Sequence, residues 1–291
     1  MKKATLSFAM LFMGIMAFAQ FNESEVLQQG DGNTSSVSQA GLSNDSYVEQ
    51  IGNNNDSDVT QSGVTNESTV WQHGNDNDSS VDQSGISNDS FVWQDGNGNT
   101  SDVFQTGTTN DSYVDQWGNG NTSTVIQDGV SNVSEVEEWG NGNSSFVNQV
   151  GTMNDSDVFQ DGNGNSSSVD QGGISNLSTV DQIGNGNSST VIQGFAGNFN
   201  VSDVDQNGDG NSSFVDQWGD GNDSDVNQDG NGNSSTVYQG FWPVVQGFDN
   251  ISIVNQDGNT NTSMVTQTGN NHWSLVNQIG NGNNSTVTQS N

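Results

Sequence analysis

The sequence predicts an all-β protein, a β-solenoid of about 12 two-stranded rungs of 22 residues each. Three observations carry this reading. Val recurs at every eleventh position from Val26 to Val191, then from Val204 to Val237 and from Val254 to Val287, which makes 24 units. Ser stands two positions before each of these valines, and Gln two positions after, Glu138 being the one exception. Through Val180 the segments between units alternate in kind, so the chain repeats with a longer period of 22.

The unit reads S-x-V-x-Q-x-G-x-x-N-x. Alternation with period two puts Ser, Val and Gln on one face of a strand. The segment that follows has turn chemistry, because Gly permits positive φ and Asn tolerates it. Gly96-Asn97-Gly98-Asn99 is an example. Each unit is therefore expected to give about five residues of strand and six of turn. One such strand cannot bury its face alone, but pairs of strands stacked rung on rung can.

The alternation of the turns sets the rung. One kind is polar, as in Gly30-Asp31-Gly32-Asn33 or Gly74-Asn75-Asp76-Asn77. The other carries an apolar residue or Thr after the Gly: Leu42, Val64, Ile86, Thr108, Val130, Thr152 and Ile174. These are expected to form a column along one edge. The inward Gln and Asn are expected to stack on their own copies, each side-chain amide donating to one neighbouring rung and accepting from the other. The valines supply the apolar part of the core. Over three central units the predicted ladder residues are Ser90, Val92, Gln94, Gly96, Asn99, Ser101, Val103, Gln105, Gly107, Asn110, Ser112, Val114, Gln116, Gly118 and Asn121.

The chain divides accordingly. Residues 1–19 read as a secretory signal: Lys2-Lys3, an apolar stretch, and the small-residue site Ala17-Phe18-Ala19. The apolar run is short for a membrane anchor, and no other segment is apolar enough to span a bilayer. A short segment, 20–23, precedes regular repeats over 24–193. An insertion at 194–201 separates them from repeats at 202–239. A second insertion at 240–251 is aromatic and holds Pro243, and repeats over 252–291 follow. Both insertions are read as loops over the solenoid, with docking of a partner as the functional alternative.

Charge excludes several functions. There are 35 acidic residues, and the two basic ones are Lys2 and Lys3. Such a chain cannot neutralise a phosphate backbone, so nucleic acid is excluded as a partner. With no Cys, disulfides and Cys-based zinc sites are excluded. No cofactor, metal site or catalytic residue is expected. His73 and His272 are far apart and read as turn residues. Glu138, next to Glu137, is read as lying in a solvated groove or as protonated.

The repeat resembles the curlin repeat, S-x5-Q-x-G-x-x-N-x-A-x3-Q. Here it runs Ser90-Phe91-Val92-Trp93-Gln94-Asp95-Gly96-Asn97-Gly98-Asn99-Thr100-Ser101, with Ser where curlins usually have Ala. The resemblance covers residues 24–291. It implies a secreted protein at the bacterial surface that polymerises with itself into functional amyloid fibres for biofilm matrix and adhesion. It also implies secretion and nucleation accessory proteins, and host or abiotic surfaces as targets. The chain departs from major curlins in having more rungs and a shorter segment before the repeats.

Two features are candidates for self-association. Outward aromatics concentrate in odd-numbered units, with Trp71, Trp93 and Trp117 among them, which suggests lateral association or surface adhesion. Cross-strand pairing for stability is the simpler account. Acidic residues stop after Asp257, so the uncharged last rungs, with Thr286 and Thr288 outward, are the candidate growing end. The alternatives are a monomeric solenoid adhesin, a cation-binding solenoid, for which the G-G-x-G-x-D spacing is absent, and an ice-binding solenoid, for which the outward face is too mixed.

Overall fold

The computed structural model describes residues 21–194, 197–240 and 247–291. The signal segment expected at 1–19 and the middles of both insertions lie outside the described residues. Among the described residues, twenty-four strands follow one another in chain order. The first eight are β1 (Glu23–Gln29), β2 (Thr34–Leu42), β3 (Asp45–Asn53), β4 (Asp56–Val64), β5 (Glu67–Asn75), β6 (Asp78–Ile86), β7 (Asp89–Asn97) and β8 (Thr100–Thr108). The next eight are β9 (Asp111–Asn119), β10 (Thr122–Val130), β11 (Val133–Asn141), β12 (Ser144–Thr152), β13 (Asp155–Asn163), β14 (Ser166–Ile174), β15 (Leu177–Asn185) and β16 (Ser188–Gln193). The last eight are β17 (Val201–Asn207), β18 (Ser212–Gln217), β19 (Asp223–Asp229), β20 (Ser234–Gln239), β21 (Ile251–Asp257), β22 (Thr262–Thr268), β23 (Trp273–Ile279) and β24 (Asn284–Ser290).

Odd strands form one 12-stranded sheet and even strands the other, each in sequence order. All neighbours pair parallel and in register, so Val92 lies between Val70 and Val114 and Gln94 between Gln72 and Gln116. The β-solenoid of two-strand rungs expected from the turns is the fold. Both insertions leave it intact: Leu177 pairs with Val201 across the first and Asp223 with Ile251 across the second, each in the same register as before.

The core lies between the sheets. The valines that mark the repeat, from Val48 to Val265, are 0–1% exposed, and Ser and Gln flank them inside. The apolar edge column forms as expected, with Leu42, Val64, Ile86, Thr108, Val130, Thr152 and Ile174 in successive register.

The strands are longer than the sequence pattern suggests. Most of them run through the first glycine of the turn, and only Asn54-Asn55 separates β3 from β4. The reason is that the turn segments stack too, and their backbone groups keep bonding between rungs. Asn54 N–H donates to Asp31 O at 2.9 Å, and Asp56 N–H to Asn77 O at 2.8 Å. A buried turn would otherwise leave its peptide groups unpaired.

The bend is made at two positions. The first glycine of the turn, Gly96, has φ +138°, and a Cβ there would sit 1.7 Å from Gly118 O in the next rung. No side chain fits between copies of this backbone. The second position is the left-handed one: Gly98 has φ +66° with nothing within 4 Å of a Cβ. Asn54, Asp76 and Thr109 occupy the equivalent place at φ +56°, +57° and +55°. We expect Gly96→Ala to lower stability by about 3 kcal/mol or more, since it combines overlap with strain. Gly98→Asn should stay within about 1 kcal/mol of the parent. Urea denaturation of the two variants measures the difference, and equal losses would refute this division of roles.

Candidate functional site

The inward glutamines form a hydrogen-bonded ladder in each sheet, continuous in the even one. In the even sheet, Gln39, Gln61, Gln83, Gln105, Gln127 and Gln149 each donate from Nε2 to Oε1 of the next glutamine at 2.8–2.9 Å. The chain of bonds runs on from Gln171 through Gln267 to Gln289. The second Nε2 proton goes to a backbone carbonyl across the core: Gln105 reaches Asp89 O at 2.6 Å and Gln94 reaches Asp78 O at 2.9 Å. Each glutamine thus joins its own sheet vertically and ties the two sheets together. This satisfies a polar group that would be costly to bury alone.

The buried asparagines stack on their copies as expected, and their backbone takes part as well as their amides. Asn121 N–H donates to Asn99 Oδ1 at 3.0 Å, while Asn99 Nδ2 donates to Gly118 O at 3.0 Å. Asn110 repeats the pattern, its N–H on Asn88 Oδ1 at 3.1 Å and its Nδ2 on Thr106 O at 2.9 Å. These side chains also cap the backbone of the bend. In the later rungs they also bond one another, Asn176 Nδ2 donating to Asn154 Oδ1, Asn200 to Asn176, Asn222 to Asn200 and Asn250 to Asn222 at 3.0–3.3 Å. A second asparagine amide ladder lies on the surface. It runs from Asn53 through Asn75, Asn97, Asn119, Asn141 and Asn163 to Asn185 at 2.8–3.0 Å. Sequence reasoning missed it; its signal was an Asn directly after the Gly of each polar turn in this stretch.

The inward serines are less well provided. Ser90, Ser112 and most of their copies are buried with no hydrogen-bond partner for Oγ. In the Ser101 column, Ser123 Oγ donates to Ser101 Oγ at 3.4 Å.

The odd-sheet ladder is broken once. Gln116 donates to Glu138 Oε2 at 2.8 Å, but Glu138 has no amide to pass on to Gln160. Gln160 Oε1 instead accepts from Ser145 Oγ at 3.2 Å. Glu138 is fully buried, so the solvated groove is ruled out and the protonated alternative fits. Burial pushes its carboxyl up to about 8, against the pull of the Gln116 hydrogen bond. Glu137, its neighbour, is on the outer face, so the two carboxyls do not form an acid–base pair.

Outward carboxylates stack on one another. Asp89 lies between Glu67 and Asp111 in register. Burial, then those two charges, push Asp89 up to about 6. Burial does the same for Asp115, Asp203 and Asp216.

The candidate self-association residues fall in two separate places. Trp71, Trp93 and Trp117 share the outer face of the odd sheet. Ring centroids of Trp71 and Trp93 are 4.7 Å apart, and Trp93 and Trp117 stack at 6.2 Å and 9°. Phe91 and Tyr113 stack beside them at 5.1 Å and 5°. Thr286 and Thr288 lie on β24, the last strand of the other sheet, at the end of the stack. His73 is in strand β5 rather than a turn, 3.5 Å from Glu49. His272 precedes β23, its ring nitrogen 3.1 Å from Thr268 O. Among the described residues, no group of three or more His, Asp or Glu is arranged to hold a metal ion.

Protonation stabilises this structure. Glu138 carries a higher pKa folded than its ordinary value of 4.5, so the folded chain holds the extra proton. Its contribution is intact below about pH 4.5 and is lost as pH rises through about 8. Asp89, Asp115, Asp203 and Asp216 act with the same sign. We expect the midpoint of urea unfolding to fall between pH 5 and pH 8. Glu138→Gln should restore the ladder and recover on the order of 3 kcal/mol above pH 8, and little near pH 4. A variant no more stable than the parent at pH 8.5 would refute the buried-carboxyl account.

The family match follows the same periodicity. The curlin associated repeat matches residues 22–52, 52–85, 99–129, 151–184, 197–230 and 258–290. No curated protein matches the chain. The matched segments span more than half of the sequence and fall on the stacked rungs of a two-sheet solenoid, and the chain belongs to the curlin associated repeat family.

Proposed function

We propose that the chain is a curli-type fibre subunit, exported to the bacterial surface, that stacks end to end to supply biofilm matrix and cell adhesion. The observation that carries this is the pair of open ends. Among the described residues, β1 and β2 at one end and β23 and β24 at the other have a neighbour on one side only. Such edges recruit further strands. The end rungs are also incompletely covered: Val26 is 45% exposed, while its mid-stack copies are at 0–1%.

The two ends are complementary. Gln28 and Gln39 donate inward and leave Oε1 facing outward along the stack. Gln278 and Gln289 donate to Thr262 O and Trp273 O at 2.9 Å and keep a second amide proton for a next rung. Continuing the register by one step sets Ser36 and Ser38 against Thr286 and Thr288, and Glu25 against Leu275. An acidic end thus meets an uncharged one. Curlin repeats and a β-solenoid are structural-protein-like, which agrees with a role in assembly.

A second reading, a monomeric surface rod, has its own support. The stack already buries most of its valines within one chain. Thioflavin-T kinetics with electron microscopy separates the two. Fibres that elongate from seeds support the subunit reading, and persistent monodisperse monomer refutes it. The double variant Thr286→Asp/Thr288→Asp should elongate roughly ten-fold more slowly at low salt, through new charge at the neutral end. Salt of about 0.5 M should recover most of the rate.

A further inference from the structure

The outer face of the odd sheet holds one feature that stacking does not use. Trp117 on β9 and Trp139 on β11 are direct ladder neighbours. Each is nearly half exposed, at 45% and 44%. Between them opens a cleft of about 260 Å³ lined by the two indoles alone. The other tryptophan neighbours, Trp71 and Trp93, pack at 4.7 Å, and each also touches Phe91.

The walls are braced from outside. Trp117 rests on Trp93 on its far side, and Trp139 meets Phe159 edge-on at 5.5 Å. Both rings therefore hold their places while the space between them stays open.

Charge decides what the cleft suits. Above and below in the same column stand Asp95 and Asp161. In the adjacent outward column, Asp115 and Glu137 lie directly beside the two indoles. The Asp115 carboxylate takes side-chain hydrogen bonds from Trp117 and Tyr113, while its Oδ1 is buried with no donor of its own. The chain offers these carboxylates no Lys or Arg after Lys3. A second copy brings the same acidic face and, after Lys3, no Lys or Arg to pair with it.

We propose that the Trp117–Trp139 cleft is a docking site for an arginine side chain of a basic partner polypeptide. A guanidinium is flat and weakly hydrated, so it can lie between two indole faces and donate in its own plane to Asp115 and Glu137. An ammonium is a compact, strongly hydrated charge and fits this slot less well. Carboxylates continue along the face at Glu135 and Asp157, so a peptide with more than one arginine gains further pairing. The site is complete within one chain and does not depend on fibre growth.

The test is calorimetric titration of the purified monomer with acetyl-Arg-Gly-Arg-Gly-amide. Matched peptides carry lysine or the neutral isostere citrulline in place of arginine. The arginine peptide should bind roughly five-fold more tightly than the lysine peptide, with no binding of the citrulline peptide. Trp139→Ser, an outward change that leaves the core untouched, should cost at least that factor, and Trp71→Ser should cost nothing. Equal binding of arginine and lysine peptides, unaffected by Trp139→Ser, would overturn the site in favour of diffuse charge attraction. Equal binding of the citrulline peptide would reduce it to an apolar slot. Loss of fibre bundling in Trp139→Ser without any arginine binding would assign the cleft to a second copy instead.

Discussion

Along this stack each strand residue sits on its own counterpart one rung away, at the spacing of paired strands, about 4.8 Å. That constraint selects the sequence. A side chain is acceptable inside only if it is compatible with itself. Valine meets valine in van der Waals contact, and a glutamine amide is both donor and acceptor, so Gln94 satisfies Gln116 as Gln72 satisfies Gln94. Glycine is required where the backbone approaches its copy too closely for a Cβ. Glutamate fails the same test in its ionised form: a carboxylate can accept from Gln116 but has no proton to pass on. This is why Glu138 interrupts its ladder and why burial favours its neutral state.

The outer faces obey the constraint less strictly, because water and salt screen them. Aspartates stack on glutamates and aspartates along β3 to β9, and burial, then the neighbouring charges, raises the pKa of Asp89 among them. Repulsion is spread along the outside while attraction is concentrated inside. The stack is therefore expected to respond to pH and ionic strength more than its uncharged core would suggest.

Much of this was legible in the sequence. The spacing of Val26 through Val287 contains the strands, and the alternation of the turns contains the two-sheet rung, because the period of the chemistry equals the period of the fold. The Leu42–Ile174 column followed from the same count. What escaped was the local geometry inside the turn. Asn99 and Asn97 look alike in sequence, yet one is buried against the backbone and the other forms a surface ladder; which is which depends on the left-handed residue between them. Strand length was underestimated because a turn in an isolated hairpin leaves the sheet, whereas here it is stacked with its copies. The aromatic residues could be assigned to a face by parity. The open space between Trp117 and Trp139, against the filled contact of Trp71 with Trp93, rests on side-chain tilt that spacing does not encode.

The assignment of odd and even strands to different sheets makes the position of each unit in the chain a matter of parity. The insertions after Gln193 and Gln239 could be added because the extra length leaves the parity of every later strand unchanged. Gain or loss of a single strand-turn unit would be another matter. The inner columns would accept it, since Ser, Val and Gln serve both sheets alike. Every outer column beyond the change would jump to the opposite face, cutting the Asn53–Asn185 ladder and dividing the aromatic face. Duplication of a complete rung preserves all of it. The chain can thus lengthen by whole rungs without redesign, and the two-unit period marks the smallest step in which such a rod can grow or shrink.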